Sequence, residues 1–268
     1  MTSIRVYGHF GEFMQGRLGP RGPVVLVTLP CPSLWVDVQK AEQHDPHGLL
    51  PPARARKLLE QLSLSDPGPV LLAPTMPRGG GAGASTAALV AYARLAGSTH
   101  DSFALACACV AAEGASDPLM FPEPEQLLWA SRQAEIVETL PPVPTFDVIG
   151  GFYGPNSRTD PTDSTFPDIS DLIGPWRQAA REGDRSAIAG LASESANRCL
   201  FLRSHSEEPI ARLAQQLGAL GHVIAHTGSA RGLLFAPGTI PSDAAATLMR
   251  AGFRRVTVFT TGRSDATW

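Results

Sequence analysis

The chain has 268 residues, 43% of them hydrophobic, so it can build one large domain or two smaller domains around a substantial core. A formal net charge of −3 excludes the basic surface that nucleic acid or an anionic membrane would need, and no apolar run reaches the length of about 18 residues that a spanning helix requires. We therefore expect a cytoplasmic protein with neither nucleic acid nor membrane as a partner. A homodimer stays open.

Two residue types constrain the chemistry. The four cysteines lack the paired spacing of a disulfide framework or a zinc site, so they are predicted to be buried thiols. Among 22 basic residues only Lys40 and Lys57 are lysines, and neither lies in a glycine-rich motif. Chemistry that needs a lysine, such as Schiff-base catalysis, is therefore disfavoured.

The first half of the chain is predicted to combine short strands with three helices. Short β-prone runs between glycine and proline clusters predict strands at residues 4–7, 24–28, 34–39 and 70–73, and a hairpin at 127–131 and 134–138. The spacing of apolar residues predicts helices at residues 53–64, 85–96 and 101–112. The first is amphipathic with Lys57 on its solvated face, and the second is apolar on nearly every side, so we expect it to be buried. Asp101 or Ser102 caps the third, which ends at Gly114.

Prolines near residue 143 predict a boundary between two domains, residues 1–143 and 144–268. The second half is predicted to contain a strand, a polar loop, three helices, two strands around a glycine turn, a further helix and a final strand. The strand is predicted at residues 145–152, the polar loop at 154–168 and the three helices at 170–182, 185–203 and 207–219. The glycine turn is predicted near residue 228, the further helix at 241–251 and the final strand at 255–260. Because strands and helices are mixed without regular alternation, the predicted fold class is α+β.

The sharpest motif is the glycine-rich segment PRGGGAGAST at residues 77–86, between a predicted strand and a predicted buried helix. Glycines let backbone N–H groups approach an anion closely, and the following helix N-terminus adds unpaired donors and a positive dipole. These residues fit a phosphate-binding loop, and they also fit a loop shaped only by tight packing. A P-loop is excluded because Ala84 and Ser85 stand at its last glycine and its lysine. A dinucleotide-binding turn is disfavoured because a second helix, not a strand, follows the first.

Three segments together resemble the GHMP small-molecule kinases. Residues 77–87 resemble the second motif of that superfamily, P-x-x-x-G-x-G-x-S-x-A. GHFGEFMQG at residues 8–16 and AHTGSARGL at residues 225–233 resemble the first and third motifs of its L-threonine kinase branch, which serves propanediol utilisation and cobalamin side-chain synthesis.

This resemblance implies a GHMP kinase-like two-domain fold, with an N-terminal domain like ribosomal S5 domain 2, a ferredoxin-like C-terminal domain and an active site between them. It implies ATP and Mg²⁺ as cofactors and a small alcohol as acceptor, with L-threonine O-3-phosphate as the expected product. A different small alcohol, or a catalytically silent nucleotide-binding homologue, remains an alternative.

The resemblance also assigns roles to residues. It gives ATP binding to the loop: Pro77, Arg78, Gly79, Gly80, Gly81, Ala82, Gly83, Ala84, Ser85 and Thr86. It gives Mg²⁺ binding to Ser85 and Glu113, although Glu113 lies one residue away from the branch's glutamate, and it makes Asp117 the acceptor of the hydroxyl proton. It places the substrate beside the first and third motifs: Gly11, Glu12, Gln15, Thr227, Gly228 and Ser229.

The chain departs from the branch where charge is expected. Gly80 stands at a position where the branch often carries lysine, and His9 and Phe10 replace a small residue and a cysteine. Phosphate charge is therefore expected to be met by backbone N–H groups, Mg²⁺ and arginines such as Arg78 or Arg231.

Overall fold

The structure is a computed structural model, and it describes residues 3–43, 48–157, 160–203 and 208–262 of the chain. Residues 158–159 of the predicted polar loop and residue 207, at the predicted start of a helix, lie outside these ranges. Strands and helices are mixed without regular alternation, which confirms the α+β class. No helix in the described ranges is long and apolar enough to cross a membrane.

Nine strands in the described residues pair antiparallel in one sheet. They are β1 (Ser3–Arg17), β2 (Val24–Lys40), β3 (Val70–Pro74), β4 (Leu127–Ala130), β5 (Glu135–Thr139), β6 (Asp147–Phe152), β7 (Gly221–Ile224), β8 (Ala230–Phe235) and β9 (Arg254–Thr260). The order across the sheet is β5-β4-β2-β1-β7-β8-β6-β9, and β3 pairs with the last residues of β2. The pair Glu12 and Ile224 joins the strands of the first half to those of the second. The domain boundary near residue 143 stays a prediction.

Seven α-helices in the described part of the chain lie where the sequence predicts them. They are α1 (Pro52–Gln61), α2 (Ala84–Leu95), α3 (Ser102–Glu113), α4 (Ser170–Glu182), α5 (Arg185–Leu202), α6 (Ile210–Leu217) and α7 (Ala244–Arg250). Helix α2 packs on β1 and β2, and α5 packs on β1 and β7. Helix α2 is buried on nearly every side, as predicted, and its first turn follows directly on the glycine-rich segment.

Strands β1 and β2 are longer than predicted. The segment at residues 8–16, which follows the predicted strand at 4–7, lies inside β1, and β2 continues through Pro30 and Pro32. A bulge explains this continuity: Tyr7 pairs with Trp35 while the next residue, Gly8, pairs with Cys31, so Pro32 lies in the extra length of β2 and removes no ladder hydrogen bond.

One predicted burial is wrong. Three of the four cysteines are buried, but Cys107 is exposed. Helix α3 buries Ala106, Ala108 and Cys109, and the helical turn carries Cys107 away from that face. Lys57 is exposed on α1, as predicted.

Candidate active site

A cavity opens at the N-terminus of α2, and residues 77–86, the glycine loop, form one of its walls. Its other walls carry side chains from elements far apart in the sequence: His9, Glu12, Arg54, Glu113, Asp117, Arg132, His226 and Thr227. Each of the three segments that resemble kinase motifs therefore contributes to the same cavity.

The glycine loop is fixed by contacts with the third motif. The carbonyl oxygen of Gly80 accepts hydrogen bonds from the backbone N–H groups of Ser229 (3.0 Å) and Ala230 (2.8 Å). Gly81 has a φ of +72°, and a Cβ there would lie 2.0 Å from the carbonyl oxygen of Thr227. Only glycine fits this close approach, so the loop conformation depends on the packing of the two motifs.

Hydroxyl and carboxylate groups meet at the first turn of α2. The Ser85 hydroxyl donates to Glu113 Oε2, and the Thr86 hydroxyl lies 3.4 Å from Glu113 Oε1 and 3.4 Å from Asp117 Oδ2. The backbone N–H of Asp117 donates to Thr86 Oγ1 at 3.2 Å. Burial raises the pKa of Glu113 to about 7, although the Ser85 hydroxyl and the Arg54 charge oppose the shift. Two carboxylates, one on α3 and one in the turn after it, therefore lie beside the last residues of the glycine loop.

His9 lies between two carboxylates. Its Nδ1 is 3.4 Å from Glu12 Oε1, and its Nε2 is 3.4 Å from Asp117 Oδ2. Burial opposes the charged form of His9, but the two carboxylates outweigh it and raise its pKa to about 9. Burial raises the pKa of Glu12 to about 8, with His9 opposing that shift. Burial would raise the pKa of Asp117 too, but the neighbouring His9 outweighs it and holds that pKa below its ordinary value.

No protein-family model matches the chain, and no curated protein does. Solved structures match it over nearly its whole length. Mevalonate kinase from L. major in complex with R-mevalonate aligns with a TM-score of 0.63 and 14% identity, over 97% of this chain and 95% of that one. Homoserine kinase from Cytophaga hutchinsonii aligns with a TM-score of 0.58 and 17% identity, over 97% of this chain and 94% of that one. A 4-(cytidine 5'-diphospho)-2C-methyl-D-erythritol kinase aligns with a TM-score of 0.57 and 19% identity, over 97% of this chain and 98% of that one. The chain has the GHMP kinase fold.

At these identities the likeness shows the GHMP kinase fold, which the three motifs imply, and the threonine kinase branch stays a prediction. All the residues that the resemblance assigns to nucleotide and metal line the cavity. Among the residues assigned to the substrate, Glu12 and Thr227 line the cavity.

The other four residues assigned to the substrate make contacts within the GHMP kinase scaffold. The Gln15 amide donates to the carbonyl oxygen of Ile224 at 3.1 Å, and the Ser229 hydroxyl donates to Asn156 Oδ1 at 2.8 Å. A Cβ at Gly11 would lie 2.8 Å from the Ile224 backbone, and one at Gly228 would lie 2.4 Å from the Gly81 nitrogen. Their contacts hold β1, β7 and the loops together beside the cavity.

Arg231 does not supply the charge expected of it. It is 7% exposed, and its Nε donates to Glu208 Oε2 at 2.8 Å. Its side chain is not among the described residues that line the cavity. Arg78 does line the cavity, as the loop position predicts.

Three cavity residues with ionisable side chains were missed from the sequence: Arg54, Arg132 and His226. Arg54 belongs to the predicted amphipathic helix at residues 53–64, and its contact with Glu113 spans 59 positions, so no local pattern reveals it. The imidazole of His226 stacks on Phe166 with ring centroids 4.3 Å apart, and burial lowers its pKa to about 3, so the ring is neutral. Its place inside the third motif was the one available signal.

Proposed function

We propose that this chain is an ATP-dependent kinase that phosphorylates the hydroxyl of a small molecule. One observation carries the proposal: the hydroxyl of Ser85 and the carboxylates of Glu113 and Asp117 converge at the N-terminus of α2, where the glycine loop ends. A helix N-terminus with preceding glycines binds phosphate, and a nearby carboxylate can take the proton of an acceptor hydroxyl.

The residues present fit Mg²⁺ and a triphosphate. Magnesium takes oxygen ligands, and Ser85 and Glu113 offer two that already face one positive group, the Arg54 guanidinium, at 3.3 and 2.9 Å. Ser85 and Glu113 would hold the metal, and the N–H groups of the glycine loop would hold the phosphates. Bound MgATP supplies the phosphoryl group and neutralises charge that develops during transfer.

Asp117 is the general base of this proposal. Because His9 lowers its pKa, its carboxylate is ionised at neutral pH and Oδ2 can accept the acceptor's proton. The Thr86 hydroxyl, in contact with both Glu113 and Asp117, fixes the distance between the two carboxylates.

The acceptor that we propose is L-threonine. The carboxylate of Glu12 is 1% exposed and lines the cavity, and apart from the 3.4 Å ion pair of Oε1 with His9 Nδ1 its oxygens have no hydrogen-bond partner among the described residues. Such a group suits the ammonium of an amino acid, and the Arg132 guanidinium on the cavity wall suits a carboxylate. Homoserine and L-serine carry the same two groups, so the choice among them is a matter for assay.

Release of ADP from MgATP, measured with L-threonine, L-serine, homoserine and no acceptor, tests the proposal. We expect Asp117→Asn to lower kcat with the best acceptor by about 10²- to 10⁴-fold while ATP binding persists. Asp101→Asn is the matched control, since Asp101 caps α3 and asparagine caps equally well. Full turnover by Asp117→Asn would remove its role, and ATP binding without turnover on any acceptor would support the silent homologue.

A further inference from the structure

Arg54 reaches from the surface into the cavity. It lies in the first turn of α1, and its side chain is 36% exposed, whereas that of Glu113 is 8% exposed. Its Nη1 donates to Glu113 Oε2 at 2.9 Å and to Ser85 Oγ at 3.3 Å. One nitrogen therefore contacts both oxygens that the proposed function gives to the metal.

A guanidinium and a divalent cation cannot hold these two oxygens together. A buried carboxylate needs a positive partner, and Arg54 supplies one to Glu113. A second cation brought to the same oxygens would lie a few ångströms from the guanidinium, and like charges at such a distance repel strongly in a partly buried site. Binding of the metal therefore requires Arg54 to move.

The displaced side chain would still face the cavity that the proposed function gives to the triphosphate. Arg54 shares the cavity with the glycine loop, which carries no lysine, and neither lysine of the chain is among the described residues that line it. A guanidinium binds phosphate oxygens through paired N–H donors, and the long arginine side chain can turn from one oxygen group to the next.

We propose that Arg54 is a nucleotide-binding residue that exchanges partners. Without nucleotide it occupies Ser85 and Glu113, and when the metal takes these oxygens it turns to the phosphates. This inference rests on the proposed function, because it needs phosphates and metal in this cavity. It adds a residue of α1, outside the three motifs, to the nucleotide site.

Two binding measurements on the full chain test the exchange without any turnover. Mn²⁺ alone is titrated and followed by electron paramagnetic resonance, and ADP is titrated by calorimetry in saturating Mg²⁺, where the metal has already displaced Arg54. For Arg54→Gln we expect Mn²⁺ to bind more tightly, by about threefold or more, since its competitor is gone. We expect ADP in saturating Mg²⁺ to bind about tenfold more weakly, since a charged hydrogen bond to phosphate is lost.

Two further variants make the result specific. Arg54→Lys keeps the positive charge but not the paired N–H donors, so it should lose less ADP affinity than Arg54→Gln loses. Arg56→Gln removes an exposed arginine from the same helix and should change neither affinity. Thermal unfolding of each variant shows that it is folded.

The outcomes separate the inference from the proposed function. If the wild type binds ADP and Arg54→Gln changes neither affinity, Arg54 is a surface ion pair and the inference is wrong. If Mn²⁺ and ADP both bind more weakly to Arg54→Gln and Arg54→Lys, Arg54 only supports the site, and the exchange is again wrong. If the wild type binds neither ADP nor MgATP, the proposed function itself fails and the inference fails with it.

Discussion

The contact between the glycine loop and the third motif predicts a large effect of one methyl group, in Gly81→Ala. A Cβ at residue 81 would lie 2.0 Å from the carbonyl oxygen of Thr227 and 2.3 Å from the Cβ of Ala225, and the backbone φ of +72° is itself unfavourable for alanine. The positive φ costs about 1–2 kcal/mol, and overpacking adds about 1–3 kcal/mol. The expected loss of unfolding free energy is therefore about 2–5 kcal/mol, from adding these two ranges.

Gly97→Ala is the matched control, because Gly97 also has a positive φ, +90°, but a Cβ there meets nothing within 4 Å. It should cost only the backbone part, about 1–2 kcal/mol. At about 2–4 °C per kcal/mol for a protein of this size, calorimetry should separate the two variants by several degrees. Gly81→Ala should also weaken ADP binding, since the loop must shift away from Thr227, whereas Gly97→Ala should not. Equal melting temperatures together with unchanged ADP affinity in Gly81→Ala would refute the contact.

Two further predictions concern stability. The pKa of His9 is raised from 6.5 to about 9. Its contribution to the free energy of unfolding is therefore complete below pH 6.5 and is lost as the pH rises toward 9. The raised pKa of Glu12 favours the neutral carboxyl group, so above pH 4.5 it lowers stability with rising pH in the same direction. The free energy of unfolding should fall from pH 6.5 to 8, and His9→Gln should roughly halve that fall. An equal dependence of the unfolding free energy on pH in both proteins would contradict the pairing of His9 with its two carboxylates. Ser195→Ala should lower the free energy of unfolding, measured in urea, by about 1–3 kcal/mol. The buried Ser195 hydroxyl accepts from the Gln15 N–H at 2.9 Å and donates to the Gln15 carbonyl at 3.1 Å. A loss under about 0.5 kcal/mol would show that other groups replace this hydroxyl.

The helices could be predicted from the sequence because their ends carry local signals. Asp101 accepts the N–H of Ala104 as the N-cap of α3, and Gly114 ends that helix in a left-handed conformation with φ of +83°. Both residues act within one turn of the helix. A reading of neighbouring residues is sufficient for such an element.

The strands at the centre of the sheet could not be bounded in this way. Residues 8–16 of β1 are all buried, because α2 and α5 both pack on this strand. A strand buried on two faces shows no alternation of polar and apolar residues, and that alternation is the signal on which strand prediction depends. The bulge beside Gly8 breaks the pattern further.

In the candidate site too, the residues placed by their neighbours in sequence could be predicted and those placed by tertiary contacts could not. The glycine loop and Ser85 follow from the sequence, since helix and loop are adjacent there. The partners of Glu113 do not follow, because Arg54 comes from another helix and the contact is made only when α1 packs on α3. Contacts between distant positions of the chain depend on the tertiary fold, which these motifs alone do not specify.

The absence of a loop lysine has a structural cause at Gly80. A Cβ there would lie 2.8 Å from Pro77 Cγ and 2.9 Å from Phe152 Cε1, and the Gly80 carbonyl accepts two backbone N–H groups of the third motif. A lysine could enter this position only if the loop gave up that packing. The positive charge for phosphate must therefore come from outside the position that the resemblance favours. Arg54 reaches the cavity from α1 and, in the proposed exchange of partners, would meet that requirement without disturbing the loop.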